Sequence, residues 1–243
     1  MALTRSDVHA VLLMGGKGTR LAPYTTVLPK ALIPIDDLPV AEILIRQLRA
    51  AGITDIVLAV GHLAALIHAY FGDGSRWGVR LTYSMEDAPL GTAGPLALVP
   101  HIDSTFLVMN GDLLTTLDLQ KMIGFHRSEK AVATIGVFER EVRLELGVIE
   151  AGPVDVHDYI EKPTMSYGVS VGAYVFEPRV LEHIPPGASY DLPDLIKSLI
   201  GAGEPVKAFR FDGHWLDIGN HDDYAAAVDL FQRERALFLP PEE

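Results

Sequence analysis

The sequence lacks cysteine altogether, which excludes disulfide bonds and thiolate metal sites. No apolar run approaches the length of about 18 residues that a membrane-spanning helix requires. The first ten residues, MALTRSDVHA, lack the apolar core of a signal peptide. We therefore expect a cytoplasmic protein.

Positive charge is scarce as well, with 20 basic residues against 32 acidic ones and a formal net charge of −12. This balance argues against nucleic acid or an anionic membrane surface as a partner, although a few local cations could still hold a small phosphate ligand. Apolar residues make up 49% of the 243 positions and charged residues 21%, as in ordinary soluble globular proteins. The chain is long enough to bury a sizeable core.

The most unusual stretch is VLLMGGKGTRLAPYTTVLPK at residues 11–30, where an apolar run gives way to a glycine-rich turn. The run at 9–14 predicts a buried strand, and the glycines after it can bring backbone N–H groups close to a ligand. Lys17, Arg20 and Lys30 add three cations. The turn matches neither GxGxxG nor the GxxxxGK[ST] P-loop, so on its own it fits a phosphate site and a structural turn equally well.

Hydrophobic periodicity in the first half alternates between strand and helix patterns. It predicts strands at 55–60, 79–84 and 105–109, and helices at 40–51, 62–71 and 91–99. Such alternation favours a mostly parallel sheet flanked by helices, with ligands at the carboxyl ends of its strands. Further on, strands are predicted at 131–139, 147–151, 154–162, 169–177 and 205–211, with helices at 192–200 and 222–231. We expect a Rossmann-like α/β fold with a smaller β-rich lobe.

Two aspartates follow apolar segments, Asp112 in MNGD and Asp217 in HWLDIGN. A carboxylate in such a place is costly without a partner, and either one alone could cap a turn or a helix. Beside a phosphate-binding turn, the pair favours a shared Mg²⁺, which takes one or two carboxylates together with phosphate oxygens.

Glu161 and Lys162 end a strand pattern just before Pro163. They fit a solvated strand end, or an acceptor and a cation for a sugar substrate. Neither residue resembles a nucleophile with its base, and the sequence has no cysteine that could act as a nucleophile. The remaining candidate chemistry is the positioning of phosphates with the help of a metal ion. This is the chemistry of phosphoryl or nucleotidyl transfer.

Six short motifs, in this order and rough spacing, resemble the sugar-1-phosphate nucleotidylyltransferases. They are GGKGTRL followed by PK, GTAG at 91–94, NGD at 110–112, EKP at 161–163, GAY at 172–174 and WLDIG at 215–219. The resemblance covers nearly the whole chain and is strongest to short mannose-1-phosphate and heptose-1-phosphate guanylyltransferases. It implies the reaction of an NTP with a sugar 1-phosphate to give an NDP-sugar and pyrophosphate, assisted by Mg²⁺.

The resemblance also implies a single domain over residues 1–243, with a nucleotide-binding half at about 1–130 and a sugar-binding half at about 131–243. We expect no C-terminal β-helix domain of the kind found on longer guanylyltransferases. A homodimer is suggested by the family alone.

Carried over position by position, the resemblance gives each site residue a role. Arg20 would contact the departing β- and γ-phosphates, Lys30 the α-phosphate, and Lys162 the sugar phosphate. Asp112 and Asp217 would bind Mg²⁺. The residues expected to bind the nucleotide are Met14, Gly15, Gly16, Gly18, Thr19, Glu86, Gly91 and Thr92. Those expected to line the sugar are Asn110, Gly147, Glu161 and Val171.

The choice of base depends on Glu86. Relatives that transfer uridylyl or thymidylyl groups usually have glutamine at this position, which reads a pyrimidine imide. A carboxylate only accepts hydrogen bonds, so it complements the N1–H and N2 amino donors of guanine. The sequence thus favours GTP with mannose or manno-heptose 1-phosphate. The alternative is uridylyl or thymidylyl transfer to a hexose or amino-sugar phosphate, because short uridylyltransferases carry glutamate in a similar segment.

Two further classes of protein are less consistent with the residues. A non-catalytic sensor or regulatory subunit would be expected to lose charged residues such as Arg20, Lys30 and Asp112, and all of them are present. A glycosyltransferase that consumes NDP-sugars would use a DxD metal motif, but this chain has NGD, and its glycine-rich turn would be unexplained.

Overall fold

A computed structural model describes residues 8–239 of the chain, so most of the ten-residue segment without a signal-peptide core lies outside it. The strands are β1 His9–Met14, β2 Pro34–Ile35, β3 Leu38–Pro39, β4 Asp55–Val60, β5 Arg80–Met85, β6 Phe106–Asn110, β7 Leu113–Thr115, β8 Ala133–Arg143, β9 Val148–Ala151, β10 Val156–Ile160, β11 Thr164–Phe176, β12 Val206–Arg210 and β13 Trp215–Asp217. The helices are α1 Tyr24–Val27, α2 Val40–Ala50, α3 Ala64–Phe71, α4 Leu119–Ser128, α5 Leu192–Gly201 and α6 His221–Phe238. Within residues 8–239, no helix is both long and apolar enough to cross a membrane.

A seven-stranded sheet with the order β12-β8-β11-β6-β1-β4-β5 forms the centre of the fold. Only β11 runs against the other six strands of this sheet. The prediction of a mostly parallel α/β sheet is therefore confirmed. Because β1, β4 and β6 are neighbours and parallel, their carboxyl ends meet at one edge of the sheet.

Both faces of the sheet are covered, which explains why its central strands are almost continuously apolar. Leu12 of β1 packs into a core formed with α2, α3 and α4, whereas Val11, its neighbour in the chain, packs into the opposite core with α5. A third apolar cluster joins α6 to α2 and β7, and contains the fully buried Phe231.

The helix predicted at 91–99 is wrong, because this segment forms only a short 3₁₀ turn at Gly94–Leu98. The N–H groups of Ala93 and Gly94 are occupied by the carbonyl of Tyr190, and Pro95 follows, so the segment cannot enter an α-helix. The structure also adds α4, which periodicity did not predict. Its N-cap is Asp118, whose carboxylate accepts a hydrogen bond from the backbone N–H of Lys121.

The predicted β-rich lobe is present as a projection, which we call the β lobe and define as residues 139–170. It consists of the outer, paired ends of β8 and β11 together with the β9–β10 hairpin. Every residue of β10 is exposed. The lobe therefore shares the long strands of the central sheet but little of its core.

Candidate active site

A cavity of about 790 Å³ lies at the sheet edge where β1, β4 and β6 end. Nine of the predicted site residues line it. They are Met14, Gly15, Gly16, Lys30, Glu86, Gly91, Thr92, Asn110 and Asp112. Segments far apart in the sequence are thus brought together, as expected for the carboxyl ends of parallel strands.

The glycine-rich turn follows β1 and forms one wall of this cavity. A side chain at Gly15 would collide with the carboxylate of Glu86, and a Cβ at Gly61 would lie 2.7 Å from Glu86 Oε1. Gly18 has a left-handed φ of 61°, and its carbonyl accepts a hydrogen bond of 2.8 Å from Thr25 Oγ1. The turn is therefore open toward the cavity and fixed from behind. Thr19, at its end, begins a 3₁₀ turn and is exposed.

The two predicted metal ligands are held together by the antiparallel pairing of β7 with β13. In this ladder Asp217 lies opposite Leu113, and the N–H of Ile218 donates to the carbonyl of Asp112 at 3.2 Å. Lys30 Nζ forms an ion pair with Asp112 Oδ2 and lies 3.9 Å from Asp217 Oδ1. A lysine and two carboxylates thus meet next to the glycine-rich turn.

The polar atoms of this trio, Lys30, Asp112 and Asp217, are not all paired. Asp112 Oδ1 is buried and has no hydrogen-bond partner. Burial raises the pKa of the Asp217 carboxyl above its usual value, and the negative charge of Asp112 adds to the increase, while Lys30 and Arg20 oppose it. Two close carboxylates with a free buried oxygen are an incomplete ligand set for a cation.

The donor set fits Mg²⁺, because oxygen ligands from one or two carboxylates are what this ion takes when phosphate oxygens supply others. Between residues 8 and 239, no cluster of three or more histidine, aspartate and glutamate side chains could enclose a metal. The ion would therefore depend on substrate oxygens as well as on Asp112 and Asp217.

Arg20 lies at the side of this trio. Its guanidinium is 3.6 Å from the position that a Cβ at Gly219 would occupy, directly after the strand that carries Asp217. A cation at this place can neutralise phosphate charge next to the acidic pair. The Arg20 side chain is exposed.

The GAY and WLDIG motifs support the end of β6. Gly172 has a left-handed φ of 71°, and a Cβ there would lie 2.9 Å from Asn110 Cγ. Trp215 Nε1 donates a hydrogen bond of 3.0 Å to the carbonyl of Val171, whose side chain is buried. Asn110 is therefore packed into place by residues from the second half of the chain.

Three predicted residues lie on the β lobe and do not line the cavity. Lys162 Nζ is 3.8 Å from Glu145, and Glu161 accepts a hydrogen bond of 3.1 Å from the hydroxyl of Tyr159. Gly147 faces the same tyrosine ring. The side chains of Glu161 and Lys162 are exposed.

Sequence reasoning missed several residues that shape the cavity. Gly61 and His62 follow β4, and the N–H of His62 donates to the carbonyl of Gly15 at 3.4 Å. A glycine directly after an apolar strand was a usable signal for the first of these. Tyr190 and Asp191 contact the cavity loop that contains Thr92, and no motif pointed to them.

Comparison with known proteins gives consistent matches over nearly the whole chain. A family model described as "Nucleotidyl transferase" matches residues 9–234. The UTP–glucose-1-phosphate uridylyltransferase of Synechocystis sp. is 40% identical, over 91% of this chain and 62% of its own length. The mannose-1-phosphate guanylyltransferase of Mycobacterium tuberculosis is 34% identical, over 92% of this chain and 65% of its own. The chain thus spans less than two thirds of these relatives.

Among solved structures, HddC from Yersinia pseudotuberculosis, complexed with GMP-PN, superposes with a TM-score of 0.72. The match covers 92% of this chain and 99% of that one at 23% sequence identity. At this identity the likeness establishes a shared fold.

Proposed function

Because the chain belongs to the nucleotidyl transferase family, we propose that it transfers a nucleotidyl group from a nucleoside triphosphate to a sugar 1-phosphate. The observation that carries the proposal is the cavity in which the glycine-rich turn, Lys30 and Asp112 meet. Backbone N–H groups and a cation suit a polyphosphate. No nucleophilic side chain is required, because the sugar phosphate brings its own oxygen.

In the proposed reaction, an oxygen of the sugar phosphate forms a bond to the α-phosphorus of the triphosphate. The bond from that phosphorus to the bridging oxygen breaks, and pyrophosphate leaves with the electron pair. Lys30 would neutralise charge at the α-phosphate, and Arg20 charge on the leaving group. Gly15, Gly16 and Gly18 would hold the phosphate chain through their backbone.

Mg²⁺ held by Asp112 and Asp217 would supply positive charge against the phosphate oxygens when bound. Lys30 already contacts both carboxylates, so it keeps the pair close and partly neutralised. On the sugar side, Lys162 is proposed to hold the phosphate of the second substrate. The two-half division of the chain, a cytoplasmic location and a homodimer also remain proposals.

For the base we propose guanine, read by Glu86. This side chain lies over Gly15 and Gly61 in the cavity, and its Oε2 already accepts the N–H of Leu90 at 3.1 Å. Oε1 is then available to accept a donor from the base, and guanine offers two. The mannose-1-phosphate guanylyltransferase relative supports guanine as the base and mannose 1-phosphate as the sugar. We propose manno-heptose 1-phosphate as the second choice of sugar.

A second candidate is uridylyl transfer to glucose 1-phosphate. It is favoured by the relative with 40% identity, which is named for that reaction. Thymidylyl transfer and amino-sugar phosphates belong to the same alternative.

The test is pyrophosphate release by the purified chain with each of four NTPs against mannose, manno-heptose, glucose and glucosamine 1-phosphates, with and without Mg²⁺. We expect release to require both substrates and the ion, and to be fastest with GTP. No release with any pair would overturn the proposed activity. A preference for UTP would overturn the role given to Glu86 and leave the reaction class intact.

A further inference from the structure

The segment from Glu86 to Gly94, which we call the base loop, contributes six residues to the cavity. They are Glu86, Asp87, Ala88, Pro89, Gly91 and Thr92. Ahead of Gly94 the loop contains neither helix nor strand, so its conformation must be fixed by contacts with other parts of the chain. Glu86 contacts Val60 at the end of β4, and the loop beyond it is held by the segment directly before α5.

Backbone hydrogen bonds join the base loop to Tyr190. The N–H of Tyr190 donates to the carbonyl of Leu90 at 2.9 Å. In return, the carbonyl of Tyr190 accepts the N–H groups of Ala93 at 2.8 Å and Gly94 at 3.0 Å. Any residue type except proline could make these bonds, so they fix the position of the loop without specifying a side chain.

Asp191 adds the side-chain contribution. Its Oδ1 accepts hydrogen bonds from the backbone N–H of Thr92 at 2.9 Å and from Thr92 Oγ1 at 3.2 Å. Thr92 Oγ1 in turn accepts the N–H of Leu192, the first residue of α5, at 2.8 Å. The arrangement is reciprocal, because the threonine caps the helix and the aspartate orients the threonine.

Asp191 occupies the N-cap position of α5, where an aspartate ordinarily accepts hydrogen bonds from its own helix. Here its side chain makes no such bond and reaches the base loop instead. Gly91 allows this approach, because it has a φ of 76° and a Cβ there would lie 2.7 Å from Asp191 Oδ1. The Asp191 carboxylate thus contacts Thr92 in the cavity wall and does not cap its own helix.

We propose that Asp191 is a positioning residue for the nucleotide, acting through Thr92 on the base loop. The loop carries Glu86 at one end, and the Glu86 carboxylate is held by the N–H of Leu90, which Tyr190 also contacts. Displacement of the loop would therefore disturb both the cavity wall and the group assigned to the base. This inference rests on the proposed function, because it assigns the loop to an NTP.

The test compares Asp191→Ala, Asp191→Asn and Asp194→Asn. Asp194 is a matched control, since it lies in the first turn of the same helix and its carboxylate pairs with Lys197 at 3.3 Å. For Asp191→Ala we expect about a ten-fold rise in the KM for the NTP, the size that loss of a charge-assisted hydrogen bond gives. The kcat and the KM for the sugar phosphate should change less than about two-fold.

Asp191→Asn should give an intermediate KM, because its amide oxygen can still accept from Thr92. Asp194→Asn should match the wild type. An unchanged NTP KM in Asp191→Ala, or an equal rise in the control, would overturn the inference. So would a rise shared equally by both substrates, which would indicate a general loss of structure.

Amide hydrogen exchange separates this inference from the proposed function. The N–H groups of Thr92, Ala93 and Gly94 should exchange faster in Asp191→Ala than in the wild type, and those of β1 should not. Unchanged exchange in the loop would overturn the positioning role. If the wild type released no pyrophosphate, the proposed function would fail, and this exchange comparison would still decide whether Asp191 holds the loop.

Discussion

Replacing Asp112 with asparagine should lower kcat by about 100- to 1,000-fold while leaving the fold nearly as stable as before. The side chain forms an ion pair with Lys30 and is proposed to bind the metal with Asp217. Asparagine has the same shape but no charge, so the substitution tests the charge itself.

The change in stability is expected to be small because two effects oppose each other. Loss of the charge-assisted hydrogen bond to Lys30 costs about 1.5–3 kcal/mol. In the other direction, the repulsion that helps raise the pKa of Asp217 disappears, and the buried Oδ1 without a partner no longer belongs to a charged group. We expect a net change within about 1 kcal/mol, equivalent to about 2–4 °C in Tm for a protein of this size.

The effect on the reaction should be large, because a group that stabilises transition-state charge typically contributes a factor of about 100 to 1,000 in kcat. The assay is pyrophosphate release at saturating substrates, paired with thermal unfolding of the same sample. Asp118→Ala is the matched control. It removes the N-cap of α4, where Oδ1 accepts the N–H of Lys121 at 2.9 Å.

The control should show the reverse pattern. Loss of the cap should cost about 1 kcal/mol of stability and leave kcat unchanged. Wild-type turnover in Asp112→Asn would remove this aspartate from the site. A fall in Tm well beyond about 4 °C would refute the compensation described above and mark the residue as structural.

Three other predictions follow from particular side chains. Glu86→Gln presents both a donor and an acceptor, so the ratio of kcat/KM for UTP over GTP should rise about ten-fold in the pyrophosphate assay. Lys162→Ala should raise the KM for the sugar phosphate about ten-fold, and an effect confined to the NTP would contradict its assignment. Burial lowers the pKa of His126 below 6.5, against the opposing pull of Glu177. Between pH 6.5 and the lower pKa of the folded state, His126 is therefore protonated in the unfolded chain but not in the folded one. The free energy of unfolding should fall as the pH drops through this range. In urea unfolding, His126→Gln should lose less stability between pH 7.5 and pH 5.5 than the wild type does. Equal losses would show that His126 is not the cause of the pH dependence.

Periodicity predicted the nucleotide side of the fold well, because its strands and helices are buried on one face or on both. The run at 9–14 is β1, the run at 55–60 is β4, and the helix that begins at Val40 is α2. The glycine-rich turn between β1 and α2 was ambiguous on its own, and only the order of six motifs along the chain favoured a phosphate site there. Hydrophobic periodicity was sufficient for these elements because burial of their own apolar residues determines whether they form a strand or a helix.

Periodicity was insufficient where contacts with distant segments of the chain determine the local structure. The loop after β5 is apolar enough to resemble a helix, but Tyr190 takes two of its N–H groups. The helix α4 has Gly124 in its interior and polar residues on its exposed side, and only its N-cap aspartate signals its start. Asp191 could not be identified at all, because its significance depends on a contact with a residue 99 positions away.

The acidic pair shows most clearly how the chain's second half completes the cavity of its first half. Asp112 follows β6, but Asp217 reaches it only because β13 pairs with β7, and α6 then starts at His221 under the cap of Asn220. The protein carries a net charge of −12, but beyond about 8 Å salt screens this charge and the local cations alike, so the attraction of a triphosphate to those cations acts only at close range. Lys30 and Arg20 must therefore hold the anion at close range, yet both lie beside Asp217.

The contact of Lys30 with Asp112 and Asp217 keeps the two carboxylates together, but it also reduces the positive charge that Lys30 offers to a phosphate. A bound divalent ion would compete with Lys30 for the same carboxylate oxygens. Binding of the ion would thereby leave the lysine available to the phosphate, which predicts that raising Mg²⁺ lowers the KM for the NTP in the wild type and lowers it less in Lys30→Met.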